Sequence, residues 1–120
     1  EAVSAACNIL ESIFKVYIED EELEKPQKQD LQNVWKVVRN DLGFNTNTLE
    51  DNDLKKIMSG ILSVVDGIGA FRTHASSAHG SGRKVYNLKP RHARLAIHSA
   101  HTIALFVLET WDERKSKKAR

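Results

Sequence analysis

The sequence predicts an all-α protein, a four-helix bundle in up-and-down order. Three observations carry this. Four segments space their apolar residues by three and four, the repeat that gathers side chains on one side of an α-helix. No segment sustains the alternation of a strand, and "KVYNL" (84–88) allows at most a short extended piece. The 120 residues, 41% hydrophobic and 28% charged, suit one domain with one core, with helices joined by mostly short connections.

The first helix is expected from about Val3 to Glu19, with Val3, Ala6, Leu10, Ile13, Phe14 and Tyr17 facing inward. The charged run "EDEELEKPQKQ" follows, and its Pro26 breaks any helix. Glu11 and Lys15, one turn apart, read as an ordinary surface pair; Glu11, beside Leu10 and Phe14, is also placed to face the end where Arg72 falls. The second helix starts after Asp30, a good N-cap, and buries Leu31, Val34, Trp35, Val38 and Leu42 before Gly43 ends it. After the turn-rich "FNTNT", Thr48 with Asp51 three residues on forms a loose capping pattern. The third helix is expected from about Leu49 to Arg72 or a little beyond, burying Leu54, Ile57, Met58, Ile61, Leu62, Val65 and Ile68. Gly60, Gly67 and Gly69 interrupt it at roughly 1 kcal/mol each relative to Ala. Close approach of a neighbouring helix is their expected use, with a weakened helix end near a site as the alternative. The fourth helix begins near Pro90, a residue suited to a first turn, and runs to about Glu113. Ala93, Ile97, Ala100, Ala104, Val107, Leu108 and Trp111 face the core, and the basic tail "RKSKKAR" is expected to fray.

The longest strictly apolar run, "IALFVL" (103–108), is far short of the roughly 20 residues of a membrane span. Cys7 is the single cysteine, so no internal disulfide forms and a reducing, cytoplasmic setting is expected. Residue 1 is Glu rather than Met, and the chain is expected to be a domain cut from a longer protein. Net charge is only +2 but uneven: residues 1–66 hold 7 Lys/Arg and 13 Asp/Glu, and residues 67–120 hold 11 and 3. Between Asp66 and Glu109 there is no acid, six Lys/Arg and all five histidines. That asymmetry favours a polyanionic partner or, alternatively, an acidic protein face.

The stretch "AFRTHASSAHGSGRK" (70–84) concentrates this chemistry. If the helix ends near Arg72, the chain can fold back and bring Arg72 and His79 together. A histidine exchanges protons near neutral pH, and an arginine holds two phosphate oxygens at once. Together they suit attack of an RNA 2′-hydroxyl on its neighbouring phosphorus, a reaction that requires no metal. Gly80 and Gly82 permit close backbone approach, Ser76, Ser77 and Ser81 offer hydroxyls, and Arg83 and Lys84 add charge. The alternative is a polar connection with no chemistry. Arg91, Arg94, His98 and His101 fall on one face of the fourth helix, opposite its apolar stripe. They read equally as a groove for a phosphate backbone or as a solvated face or dimer seam. Metal ligation is not expected, because Cys7 is alone and the histidine window holds no acid. No cofactor is expected.

"GIGAFRTHASSAHGSG" (67–82) and "KPRHARLAIHSAHTIALFVLETW" (89–111) resemble the abortive-infection C-terminal (Abi-C) family of the HEPN superfamily. "ACNILESIFKVYI" (6–18) and "LQNVWKVVRNDLGF" (31–44) are similar to its first two helices. The superfamily hallmark is an Arg, four to six residues, then a His; Arg72 and His79 match it, with Thr73 after the Arg and His74 inside the spacer. The resemblance implies a four- to five-helix bundle that dimerises, and a composite, metal-independent ribonuclease site across the dimer axis. It implies a role in anti-phage defence or a toxin–antitoxin system. Arg72 would stabilise the phosphate and His79 would act as general acid or base. His74, Ser76, Arg83, Arg91, Arg94 and His98 are expected to bind or support RNA. An antitoxin or an upstream sensor domain is a further expected partner. The alternative is a non-catalytic helical module that binds nucleic acid or nucleotide, or mediates dimerisation.

Overall fold

The computed structural model describes residues 2–44, 47, 49–81 and 89–118, and the side chains in these ranges apart from those of 2 and 75–81. Four helices account for nearly all of them: α1 (Ala2–Asp20), α2 (Leu31–Leu42), α3 (Asn52–Ser81) and α4 (Pro90–Lys118). The bundle is all-α, as the periodicity predicts.

Local chemistry sets most helix ends. Asp30 accepts the Asn33 backbone N–H at 3.1 Å and opens α2. Gly43 closes it with φ 77°, while Phe44 N–H returns to Arg39 O at 2.8 Å. The cap of α3 is Asp51, whose Oδ1 accepts Leu54 N–H at 2.8 Å; Thr48 lies outside the described residues. α3 does not stop near Arg72 but runs to Ser81, so the expected fold-back between Arg72 and His79 is replaced by continuous helix. The segment 73–81 has no proline, and Ala75 and Ala78 partly offset the weak helix propensity of its serines and Gly80. The "KVYNL" segment lies outside the described residues.

Side-chain pairings give the helix directions. The Phe14 and Trp35 rings stack at 5.0 Å and Tyr17 reaches Asp41, so α1 and α2 run the same way. The connection 21–30 returns the length of the pair. α3 descends beside them, with Gly69 against Gln32 and Arg72 against Cys7 and Glu11. α4 rises again, Phe71 sharing a cavity with His92 and Leu95, and Ile57 sharing one with Thr102 and Ile103. α2, α3 and α4 therefore alternate, while the parallel α1 and α2 depart from the expected up-and-down order, because the connection 21–30 is long enough to bring the chain back to the end where α1 began.

α1 lies at the centre, against all three other helices. Its Val3, Ala6, Cys7, Leu10, Phe14, Tyr17 and Ile18 are buried with Trp35 of α2, Met58, Val65 and Ile68 of α3, and Ala100, Val107 and Trp111 of α4. Phe44 extends the aromatic row from Trp35 to Phe106. Three residues expected in the core are not there: Leu54, Ile57 and Leu108 are 41%, 60% and 42% exposed. For the two on α3 the reason is that α3 and α4 touch along few residues, which leaves part of the α3 stripe uncovered. Gly60 and Gly67 border that open face with nothing within 4 Å of an added Cβ. Only Gly69 serves close approach, and what approaches it is the Gln32 side chain.

The basic tail does not fray at Glu113. α4 continues to Lys118, because Arg114 donates to the Asp41 carboxylate at 3.0 Å and Lys118 to Glu21 at 3.4 Å. No helix among the described residues is long and apolar enough to cross a membrane.

Candidate functional site

Arg72 emerges from α3 on the side facing α1. Its Nη1 donates to Glu11 Oε1 at 3.1 Å and to Cys7 Sγ at 3.4 Å, and the Cys7 thiol lies 3.7 Å from the same Glu11 oxygen. Cys7 and Glu11 are one turn apart on α1, so a single face of that helix supplies both partners. The Glu11 side chain is 14% exposed and that of Arg72 39%. Glu11 thus pairs across the bundle with Arg72, the alternative the sequence offers beside an ordinary surface pair with Lys15.

Burial pushes the Cys7 thiol above its ordinary pKa, although the Arg72 hydrogen bond opposes the shift. The thiol is protonated at neutral pH, a donor rather than a nucleophile. The hydrogen bond to Cys7 and then the Glu11 carboxylate hold Arg72 still more firmly charged. The three side chains therefore form a small, partly buried ion pair flanked by a neutral thiol.

They border a cleft of about 570 Å³ between α1, the start of α2 and α3, with Lys28, Gln29, Asp30, Leu31, Gln32, Gly69 and Thr73 completing its wall. Its size falls in the range of small-ligand sites. Gln32 is fitted against the bare backbone of Gly69, and Thr73 Oγ1 folds back onto Gly69 O at 3.1 Å. Arg72 thus sits on the rim of a cleft whose wall carries several polar side chains.

The other residues expected at the site fall into three groups. Positions 72 and 79 are seven residues apart on one helix, two turns and about 10.5 Å along the axis, which returns them to the same side of it. The side chains of His79 and Ser76 lie outside the described residues, as does Arg83 entirely. His74 is exposed on α3. Arg91, Arg94 and His98 are exposed on α4, as is His101. None of these α4 residues borders the Arg72 cleft; His98 borders a separate one with Ile57, Gly60 and Val64. Among the described residues no three His, Cys, Asp or Glu side chains gather as metal ligands would.

Sequence reasoning missed Cys7 and Gln32 as neighbours of Arg72. The available signal was Cys7 and Glu11 at a four-residue spacing on the edge of the α1 stripe. The position of Glu11 beside Leu10 and Phe14 points that edge toward the Arg72 end, but no local pattern marks Cys7 or Gln32 as its neighbours.

The fold and site define a class: an α-helical bundle carrying a buttressed arginine at the rim of a polar cleft, followed on the same helix by a histidine. Residues 1–111 match the family model of Abi-C, the HEPN-like domain, and the chain belongs to that family. No curated protein and no solved structure matches it.

Proposed function

We propose that this chain is the metal-independent endoribonuclease domain of a bacterial anti-phage or toxin–antitoxin system, the C-terminal part of a longer protein, acting as a homodimer. The observation that carries this reading is the placement of Arg72. It is a charged guanidinium on a cleft rim, two turns before a histidine position on the same side of one helix, in a basic window without acids. In this reading Arg72 grips the phosphate and stabilises the extra charge of the phosphorane. His79 takes the proton of the attacking 2′-hydroxyl or returns one to the leaving oxygen. His74, Ser76, Arg83, Arg91, Arg94 and His98 guide the RNA backbone toward that centre. The uncovered apolar strip of Ile57, Val64 and Leu95 between α3 and α4 supports the homodimer, which would bring two such helices together.

The test is cleavage of total RNA and a matched single-stranded DNA, with chelator present, by wild type and His79→Ala. The expected result is cleavage of RNA alone, reduced at least about 100-fold in the variant. Salt-sensitive binding to RNA without cleavage by the dimer would replace this reading with the non-catalytic module.

A further inference from the structure

Arg72 carries five N–H groups but commits one nitrogen to the protein. Both of its hydrogen bonds leave from Nη1, to Glu11 and to Cys7; Nε and Nη2 make none among the described residues. A guanidinium on a flexible stem must otherwise lose its rotamer freedom when a phosphate arrives. Glu11 removes that requirement. It comes from a different helix, its side chain is largely buried at 14% exposed, and its contact leaves the bidentate edge of the fork open toward the cleft. Cys7 adds to the hold, because the thiol is within reach of both partners.

We propose that Glu11 is a positioning residue for Arg72: it anchors one guanidinium nitrogen so that the remaining N–H groups are presented to an RNA phosphate at the cleft rim. The proposal rests on the ribonuclease reading of this site. Its physical content is preorganisation of the charge that meets the transition state. The rival role for the same contact is a counter-ion that competes with phosphate, and the two give opposite results on removal of the carboxylate.

The experiment compares wild type, Glu11→Ala and Glu11→Gln in single-turnover and steady-state RNA cleavage, with thermal unfolding to confirm that each variant is folded. Glu11→Ala is expected to lower kcat about 10- to 100-fold with KM changed less than about threefold, because Arg72 keeps its charge and loses its aim. Glu11→Gln, whose amide oxygen accepts the same bond, is expected to recover most of the rate. A rise in RNA affinity in both variants, with kcat held, overturns the proposal in favour of the competing counter-ion.

A second readout needs no cleavage. Cys7 is the single cysteine, so a ¹³Cβ label reports one thiol titration. Arg72→Ala is expected to move that titration upward in the Glu11 background, since the arginine lowers it. The same change is expected to do nothing in the Glu11→Ala background, because the guanidinium has already left the thiol. Persistence of the Arg72 effect without Glu11 overturns the proposal, whatever happens to kcat. If wild type cleaves no RNA, the ribonuclease reading fails by itself. The titration cycle then still decides whether Glu11 holds Arg72.

Discussion

Tyr17, Asp41 and Arg114 tie three helices at the end of the bundle opposite the Arg72 cleft. Tyr17 donates to Asp41, and Arg114 donates to both, including the Asp41 backbone carbonyl. Burial and then the Asp41 contacts push the Tyr17 phenol far above its usual pKa, so it remains a donor. Arg114→Ala should cost about 1–2 kcal/mol, allowing for the screening of a pair that is partly exposed. Hydrogen exchange should then show residues 112–118 opening before the rest of α4. Beside this cluster, the Glu21 carboxyl lies below its usual pKa because Trp111 Nε1–H donates to it at 3.1 Å, with Lys118 adding to the effect. A carboxyl depressed in the folded state stabilises the fold fully above its unfolded pKa, 4.5 here, and loses that contribution as pH falls through the folded value. Urea midpoints should therefore fall further from about pH 5 to about pH 3 in wild type than in Glu21→Gln; equal slopes would remove Glu21 from the account. None of these partners was legible in sequence. Ion pairs between residues 73 to 97 apart have no local signature, and the tail reads as a run of unpaired cations.

At the scale of the element, legibility followed local chemistry. α2 was readable at both ends because Asp30 and Gly43 each perform a single backbone task that their residue types suit. α3 was readable only in its middle. Its C-terminal third, with three serines and Gly80, reads as a loop, yet it continues as helix to Ser81; composition weakens a helix without forbidding it. The glycines of α3 divide the same way. Gly60 has nothing within 4 Å of an added Cβ, whereas at Gly69 that atom would lie 2.5 Å from Gln32 Nε2. Gly60→Ala should therefore raise stability by about 0.5–1 kcal/mol in urea unfolding, the gain in helix propensity alone. Gly69→Ala should gain less, or lose, because Gln32 must leave its seat and the cleft wall with it.

For the whole molecule, the arrangement separates two surfaces. The Arg72 cleft opens between α1, α2 and α3, while the apolar strip lies between α3 and α4. The strip includes a cavity of about 250 Å³ whose wall takes in Val64, Ile68, Phe71 and Leu95. Leu95 and Ile57, toward opposite ends of the strip, are 67% and 60% exposed, and an apolar strip open along its length marks a surface that another molecule covers. Sequence periodicity assigned Ile57 to the core and gave Leu95 no role, because periodicity finds an apolar face without telling what covers it. If a second copy covers it, sedimentation of wild type should give twice the 13.5 kDa of one chain. Leu95→Asp should return the protein to one chain while leaving its unfolding midpoint, measured at dilution, within about 0.5 kcal/mol of wild type, since an exposed position has little folding energy to lose. The same substitution should abolish cleavage if the site is composite, although Leu95 lies on a different surface from the Arg72 cleft. A monomeric wild type that cleaves RNA, or a Leu95→Asp monomer that still cleaves it at the full rate, would show that one Arg72–His79 helix suffices and that the apolar strip serves another contact.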